Sequence, residues 1–263
     1  MYYQGMNYGS AIKARLPISL KNALKDSGVN YFRLFLIEIQ RRINPRRYFG
    51  QTAEDVLLDM YFPEKKGNYV DIGAGRPITG SNTFGFYKRG WNGICVDPIS
   101  FNCKMFGRFR PKDQILNILI GAEENVIEFW EFEPYVYSTA DKEVAEKVIR
   151  VSGVRLLVKS MKRVLPLSEI VPNADPLDPM LLTVDVEGFD LQVLKSNDWE
   201  KFRPRVICVE EWSSSLDVNQ NSEISLYLRG KNYQRRAWTG LSSIYVEQTY
   251  LDATKHWTDE EKN

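Results

Sequence analysis

A chain of 263 residues can bury a full hydrophobic core, and its length suits one α/β domain with decorations rather than two independent domains. Lysine and arginine total 35 against 34 for aspartate and glutamate, so no overall field draws the protein to nucleic acid or to an anionic bilayer. The three cysteines, Cys95, Cys103 and Cys208, are odd in number and widely spaced, two of them inside apolar runs. They read as thiols of a reducing compartment, excluding a disulfide frame and a zinc site.

Residues 1–8 hold no basic segment followed by an apolar stretch, so no secretory signal is expected. Apolar positions at helical spacing over 19–44, including Leu20, Leu24, Phe32, Phe35, Leu36 and Ile39, predict a helical preface that Pro45 ends. Its most apolar part, 31–39, is about half the length a membrane span requires. The basic cluster Arg41, Arg42, Arg46 and Arg47 reads as a solvated helix end in preference to a peripheral contact with a membrane or an anionic glycolipid. This sets an extension over 1–50 apart from a main domain over 51–263. A second helix is predicted over 52–60, with Thr52 as N-cap and Asp55 in the capping-box place.

Beyond it strands and helices alternate, the pattern of a mostly parallel sheet covered on both faces. A strand over 69–74 ends in glycines, a helix follows over 83–89, and a strand over 93–96 ends at Asp97. A third strand is predicted over 114–120, stopping at Gly121. Residues 126–132 alternate apolar with acidic or aromatic side chains and read as an antiparallel excursion. After a helix over 141–150, two buried strands over 181–186 and 206–209 flank a helix over 191–196. A helix over 222–229 leads to a closing hairpin, 233–238 and 243–248, joined across Thr239-Gly240-Leu241.

The sharpest local signal is Val70-Asp71-Ile72-Gly73-Ala74-Gly75, an apolar strand running into two glycines, which let the backbone turn tightly and approach a ligand. Asp97, 22 residues beyond Gly75, ends the next strand, where a carboxylate can accept hydrogen bonds from the two hydroxyls of a ribose. A dinucleotide fingerprint wants a third glycine where this chain has Ile78, which disfavours NAD. Asp71 sits badly beside a pyrophosphate and suits a ligand bearing an ammonium and a sulfonium, which points to S-adenosylmethionine. A purely structural strand turn is the alternative reading of the glycines.

Three blocks, Val70 to Gly75, Ser81-Asn82-Thr83 and Gly90-Trp91-Asn92-Gly93-Ile94-Cys95-Val96-Asp97-Pro98, closely resemble the FkbM-type methyltransferase family. So do Ser138-Thr139, Leu182-Thr183-Val184-Asp185-Val186-Glu187-Gly188 with Val193-Leu194, and Arg203-Pro204-Arg205-Val206-Ile207-Cys208-Val209-Glu210. The resemblance spans residues 51–250. It implies a Rossmann-like methyltransferase fold, a mostly parallel seven-stranded sheet with a C-terminal antiparallel hairpin, and S-adenosylmethionine as donor. The acceptor it implies is a hydroxyl, often on a sugar, glycolipid or polyketide. The cofactor set is then Asp71, Gly73, Ala74, Gly75, Ser81, Asn82, Thr83, Asp97 and Gly121. The helical preface and residues 126–172 depart from simpler members and are expected to shape acceptor binding.

Methyl transfer to a hydroxyl requires positioning and a base near the sulfonium. The single histidine, His256, stands in a polar C-terminal stretch read as a mobile tail, which excludes a histidine triad and two-histidine zinc motifs. The candidates are therefore carboxylates at strand ends: Asp185 or Glu187 as base, facing the same way if their strand persists, with Glu210 orienting the acceptor. Two readings stand beside this one. Glu187 accepts backbone hydrogen bonds in the turn at Gly188, or Asp185, Glu187 and Glu210 hold Mg2+ to orient a diol. The six tryptophans are read mostly as core, with sugar-stacking rings among them. The leading expectation is a cytoplasmic enzyme methylating a sugar of a polysaccharide or glycolipid precursor. A small secondary metabolite as acceptor, a nicotinamide-dependent oxidoreductase and a non-catalytic adenosine-binding module are the alternatives.

Overall fold

The computed structural model describes residues 48–212 and 221–260, together with Ile39. By its contacts the chain divides into Met1–Arg46 and Arg47–Asn263, and the β-sheets belong to the second unit. The helical preface expected over 19–44 lies, Ile39 apart, outside the described residues.

Helix α1 (Glu54–Asp59) precedes strand β1 (Asn68–Ile72), and α2 (Phe84–Lys88) and α3 (Ser100–Phe109) flank β2 (Asn92–Val96). Then come β3 (Gln114–Leu116), β4 (Leu119–Ile120), β5 (Asn125–Glu133), α4 (Lys142–Val148), β6 (Arg155–Leu165) and α5 (Leu167–Ile170). The chain continues through β7 (Met180–Val184), α6 (Asp190–Lys195), β8 (Val206–Glu210), α7 (Glu223–Gly230), β9 (Tyr233–Trp238), β10 (Ser242–Glu247) and α8 (Gln248–Glu260). Seven strands form one sheet in the order β3-β2-β1-β7-β8-β10-β9. All its neighbours pair in parallel except β10, antiparallel to both β8 and β9. This is the Rossmann-like arrangement with a closing antiparallel hairpin.

Alternate residues of the buried strands feed two cores. Val70, Ile72, Leu182, Val184, Ile207 and Val209 pack with Val193 and Leu194 of α6 and Leu228 of α7. Tyr69, Leu181, Val206 and Cys208 pack on the opposite face with Leu58 of α1, Phe86 of α2 and Phe106 of α3. Each fully buried Leu, Ile, Val or Phe is worth about 1.5–3 kcal/mol, so the parallel strands are apolar on both faces and cannot alternate with polar residues. The carboxyl ends of β1, β2, β7 and β8 therefore share one edge of the sheet.

The structure corrects several expectations. The strand expected over 114–120 breaks after Leu116, and its second half, β4, joins a separate sheet of order β4-β6-β5. That sheet is the antiparallel excursion: β5 pairs along β6, a strand the sequence pattern did not reveal. Helix α1 begins at Glu54 after Ala53 at φ 64, so Thr52 is not its N-cap. The carboxylate of Asp55 reaches back to Phe49 N at 2.7 Å and Gly50 N at 3.2 Å, a longer loop than a capping box. Strand β7 ends at Val184, short of Asp185 and Glu187. Residues 248–260 form a helix where a mobile tail was expected, and the side chain of His256 lies outside the described set.

Candidate active site

After β1 the chain turns at Gly73 and Gly75, both at positive φ, 76° and 57°. Gly73 and Ala74 donate their N–H groups to Val96 O at 2.9 and 3.0 Å, which seats the turn on the end of β2. A Cβ on Gly73 would fall 1.8 Å from Asp185 O, so the turns after β1 and β7 touch there. No such neighbour stands at Gly75, where a Cβ would meet nothing nearer than Gly73 O at 3.9 Å. Its N–H is fixed by Asp97 Oδ2 at 2.8 Å.

Asp97 is buried, and Ile99 N at 2.8 Å and Asn102 Nδ2 at 3.1 Å reach its Oδ1. Three of about four acceptor positions on the carboxylate are thus occupied within the protein. It straps the glycine loop to the end of β2, and one position on Oδ2 remains for a ligand hydroxyl. Burial raises its pKa to about 7.

Asp71 has a different place from the one the sequence suggested. It is buried in β1, its oxygens taking the hydroxyls of Thr83 and of Thr183, the latter at 2.8 Å. Arg110, fully buried at the end of α3, binds Thr83 Oγ1 at 2.9 Å, Ser81 Oγ at 3.1 Å and Asp113 Oδ2 at 2.6 Å. Asp113 in turn accepts from Tyr69 Oη and Gly93 N at 2.7 and 3.1 Å. Ser81, Thr83 and Asp71 are therefore joined in a buried network under the loop. Arg110 and Asp113 were missed by sequence reasoning. Their spacing of three at a helix end was the available signal, and it looks like any surface pair. Asn82 Oδ1 is shielded from solvent with no hydrogen-bond partner among the described residues. Gly121 stands apart, tied to Leu165 O of the smaller sheet at 3.0 Å.

At the ends of β7 and β8 the carboxylates gather. Asp185 donates its N–H to Ile72 O at 3.0 Å, and its carboxylate feels the charge of Glu210, the last residue of β8. Burial, then the charge of Glu210, pushes the Asp185 pKa up; burial, then the charges of Glu187 and Asp190, raises that of Glu210. Glu187, at φ 53, no longer follows the strand alternation, and burial with the Asp185 charge lifts it to about 7. The turn at Gly188 is held by Asp190 instead of Glu187: Val186 N and Gly188 N both reach Asp190 at 3.1 Å. An open cleft of about 440 Å³ lies here, lined by Glu187, Asp190, Glu210, Glu211, Glu223 and Trp212 among others. Trp212 is 70 % exposed, whereas Trp91, Trp130 and Trp199 are core residues.

Such a cluster of carboxylates held above their ordinary range favours a cationic ligand, since a nearby positive charge offsets the cost of ionising them. Together with the open backbone at Gly75 and the spare acceptor on Asp97, the site fits a ligand with ribose hydroxyls and a sulfonium. Among the described residues no group of three histidine, cysteine, aspartate or glutamate side chains is arranged to hold a metal ion, which leaves the Mg2+ reading without a ligand set.

The family description "Methyltransferase FkbM domain" matches residues 71–235, more than half of the chain. No curated protein matches it. Among solved structures it is similar to a TehB-like SAM-dependent methyltransferase from Corynebacterium glutamicum, at 9 % identity and a TM-score of 0.42, covering 82 % of this chain and 97 % of that one. The nicotinamide-dependent oxidoreductase reading is thereby set aside: the chain belongs to the FkbM methyltransferase family and is an S-adenosylmethionine-dependent methyltransferase.

Proposed function

We propose that the protein is an O-methyltransferase whose acceptor is a hydroxyl of a sugar in a polysaccharide or glycolipid precursor. The observation that carries the reaction type is the pair of interacting carboxylates Asp185 and Glu210, placed after β7 and at the end of β8 with Glu210 lining the acidic cleft, both raised toward neutrality by burial. A base works best when its pKa lies near the working pH. Once ionised, the pair accepts the proton of the acceptor hydroxyl as its oxygen takes the methyl carbon. The donor supplies a methyl carbon activated by a sulfonium, so the residues here contribute orientation and proton removal. Asp97 and the turn at Gly73 to Gly75 orient the adenosine end, and Glu187 faces the same cleft.

The sugar assignment has support from Trp212, an exposed indole beside five carboxylates, the pairing of a stacking face with acceptors for hydroxyls. The free thiols Cys95, Cys103 and Cys208 suit a cytoplasmic setting, and no helix among the described residues is long and apolar enough to cross a membrane. A small secondary metabolite is the competing acceptor. Methyl transfer measured over a panel of glycosides and small phenols decides between them: turnover of the phenols alone overturns the sugar assignment. Asp185→Asn and Glu210→Gln are each expected to lower kcat by roughly 10²–10⁴-fold while S-adenosylhomocysteine still binds. An unchanged kcat in both variants rules out the pair as base.

A further inference from the structure

Arg76 directly follows Gly75 and is held from both sides. Gly75 N binds Asp97, and Arg110 Nη1 donates to Pro77 O at 3.4 Å. Its backbone is fixed, yet its guanidinium makes no hydrogen bond or ion pair among the described residues, and its Nε is shut off from solvent without a partner. What it does meet is a ring: Cζ lies 5.4 Å from the centre of Tyr135, in the turn Tyr135–Tyr137 that follows β5. The excursion thus delivers an aromatic face to the glycine loop. Other arginines are satisfied differently, Arg110 by Asp113 and Arg89 by Asp59.

A shielded guanidinium N–H without an acceptor is costly, and a contact with a ring face offsets only part of that cost. The carboxyl ends of β7 and β8, on the same sheet edge, carry the opposite charge in Asp185, Glu187, Asp190 and Glu210. A zwitterionic end needs both signs: acids for its ammonium and a cation for its carboxylate. We propose that Arg76, stacked on Tyr135, takes the α-carboxylate at the amino-acid end of the methyl donor. This role rests on the donor lying at the glycine loop, as the proposed function has it. Arg76 is in this respect a binding residue, and its planar fork suits a carboxylate where a point charge would suit it less.

The test is calorimetry on the full chain with S-adenosylhomocysteine and with its decarboxylated analogue, which keeps the amine. In wild type the first is expected to bind more tightly. Arg76→Met should weaken S-adenosylhomocysteine roughly ten- to a hundredfold, leave the decarboxylated analogue unchanged, and be partly rescued by Arg76→Lys. An equal loss for both ligands, or no loss for S-adenosylhomocysteine, overturns the inference while the donor site stands. A wild-type protein that binds neither ligand overturns the donor placement itself, and the inference with it.

Discussion

Arg110 is the residue on which the segment after the glycine turn depends. Its guanidinium is fully buried and serves Asp113, Ser81 and Thr83, while its charge also acts on Asp71. Removing one partner of a buried charged set leaves the others uncompensated, which costs about 3–5 kcal/mol. Arg110→Met is therefore expected to lower the unfolding free energy by about that amount in a urea titration. A loss below about 1 kcal/mol, the value of an exposed ion pair, would show that the network has been misjudged. Asp71 illustrates why a motif letter does not fix a role. The sequence placed its charge against a cationic ligand, whereas two threonine hydroxyls, Thr83 and Thr183, satisfy it inside the sheet. Thr183 is 112 residues away in the chain, and no local pattern announces such a partner.

At the scale of elements, the parallel strands and the hairpin were legible because burial on both faces leaves continuous apolar runs and the hairpin carries Gly240 at positive φ, 99°. The excursion was legible in β5 alone. Its partner β6 exposes Arg155, Leu156, Lys159, Met161 and Arg163, so the period-two pattern that marks a half-buried strand is blurred. The acidic edge was legible as residue types but not as geometry: the turn after Val184 redirects Glu187 and gives the backbone donors to Asp190. That turn depends on the close approach at Gly73. Gly73→Ala combines a positive φ with a Cβ 1.8 Å from Asp185 O, whereas Gly188→Ala at φ 96° meets nothing within 4 Å. Gly188→Ala should cost about 1–3 kcal/mol from backbone strain alone. Gly73→Ala should cost more and also abolish S-adenosylhomocysteine binding, read by thermal melting and calorimetry together; equal effects in the two variants would refute the contact between the turns.

Over the whole molecule the sheet concentrates acids at one edge, and this makes stability depend on pH in an uncommon direction. Asp97 and Glu187 rise to about 7 and Asp190 to about 6, burial being the largest cause for each. Asp185 and Glu210 are raised as well. Their ordinary values are 3.8 for aspartate and 4.5 for glutamate, so between those values and neutrality the folded chain holds protons that the unfolded chain has released. Stability then falls as pH rises through that window, because the native state binds more protons than the unfolded state. The expected result is a higher Tm at pH 6 than at pH 8, with each kcal/mol of this linkage moving Tm by roughly 2–4 °C. Saturating S-adenosylmethionine should flatten the dependence, since a sulfonium among the carboxylates lowers their pKa values, and the neutral thioether of S-adenosylhomocysteine should flatten it less. A Tm that climbs from pH 6 to pH 8 without ligand would mean that these carboxylates are ionised at little cost, and the acidic edge would then lose both its preference for a cation and its standing as the source of a base near neutral pH.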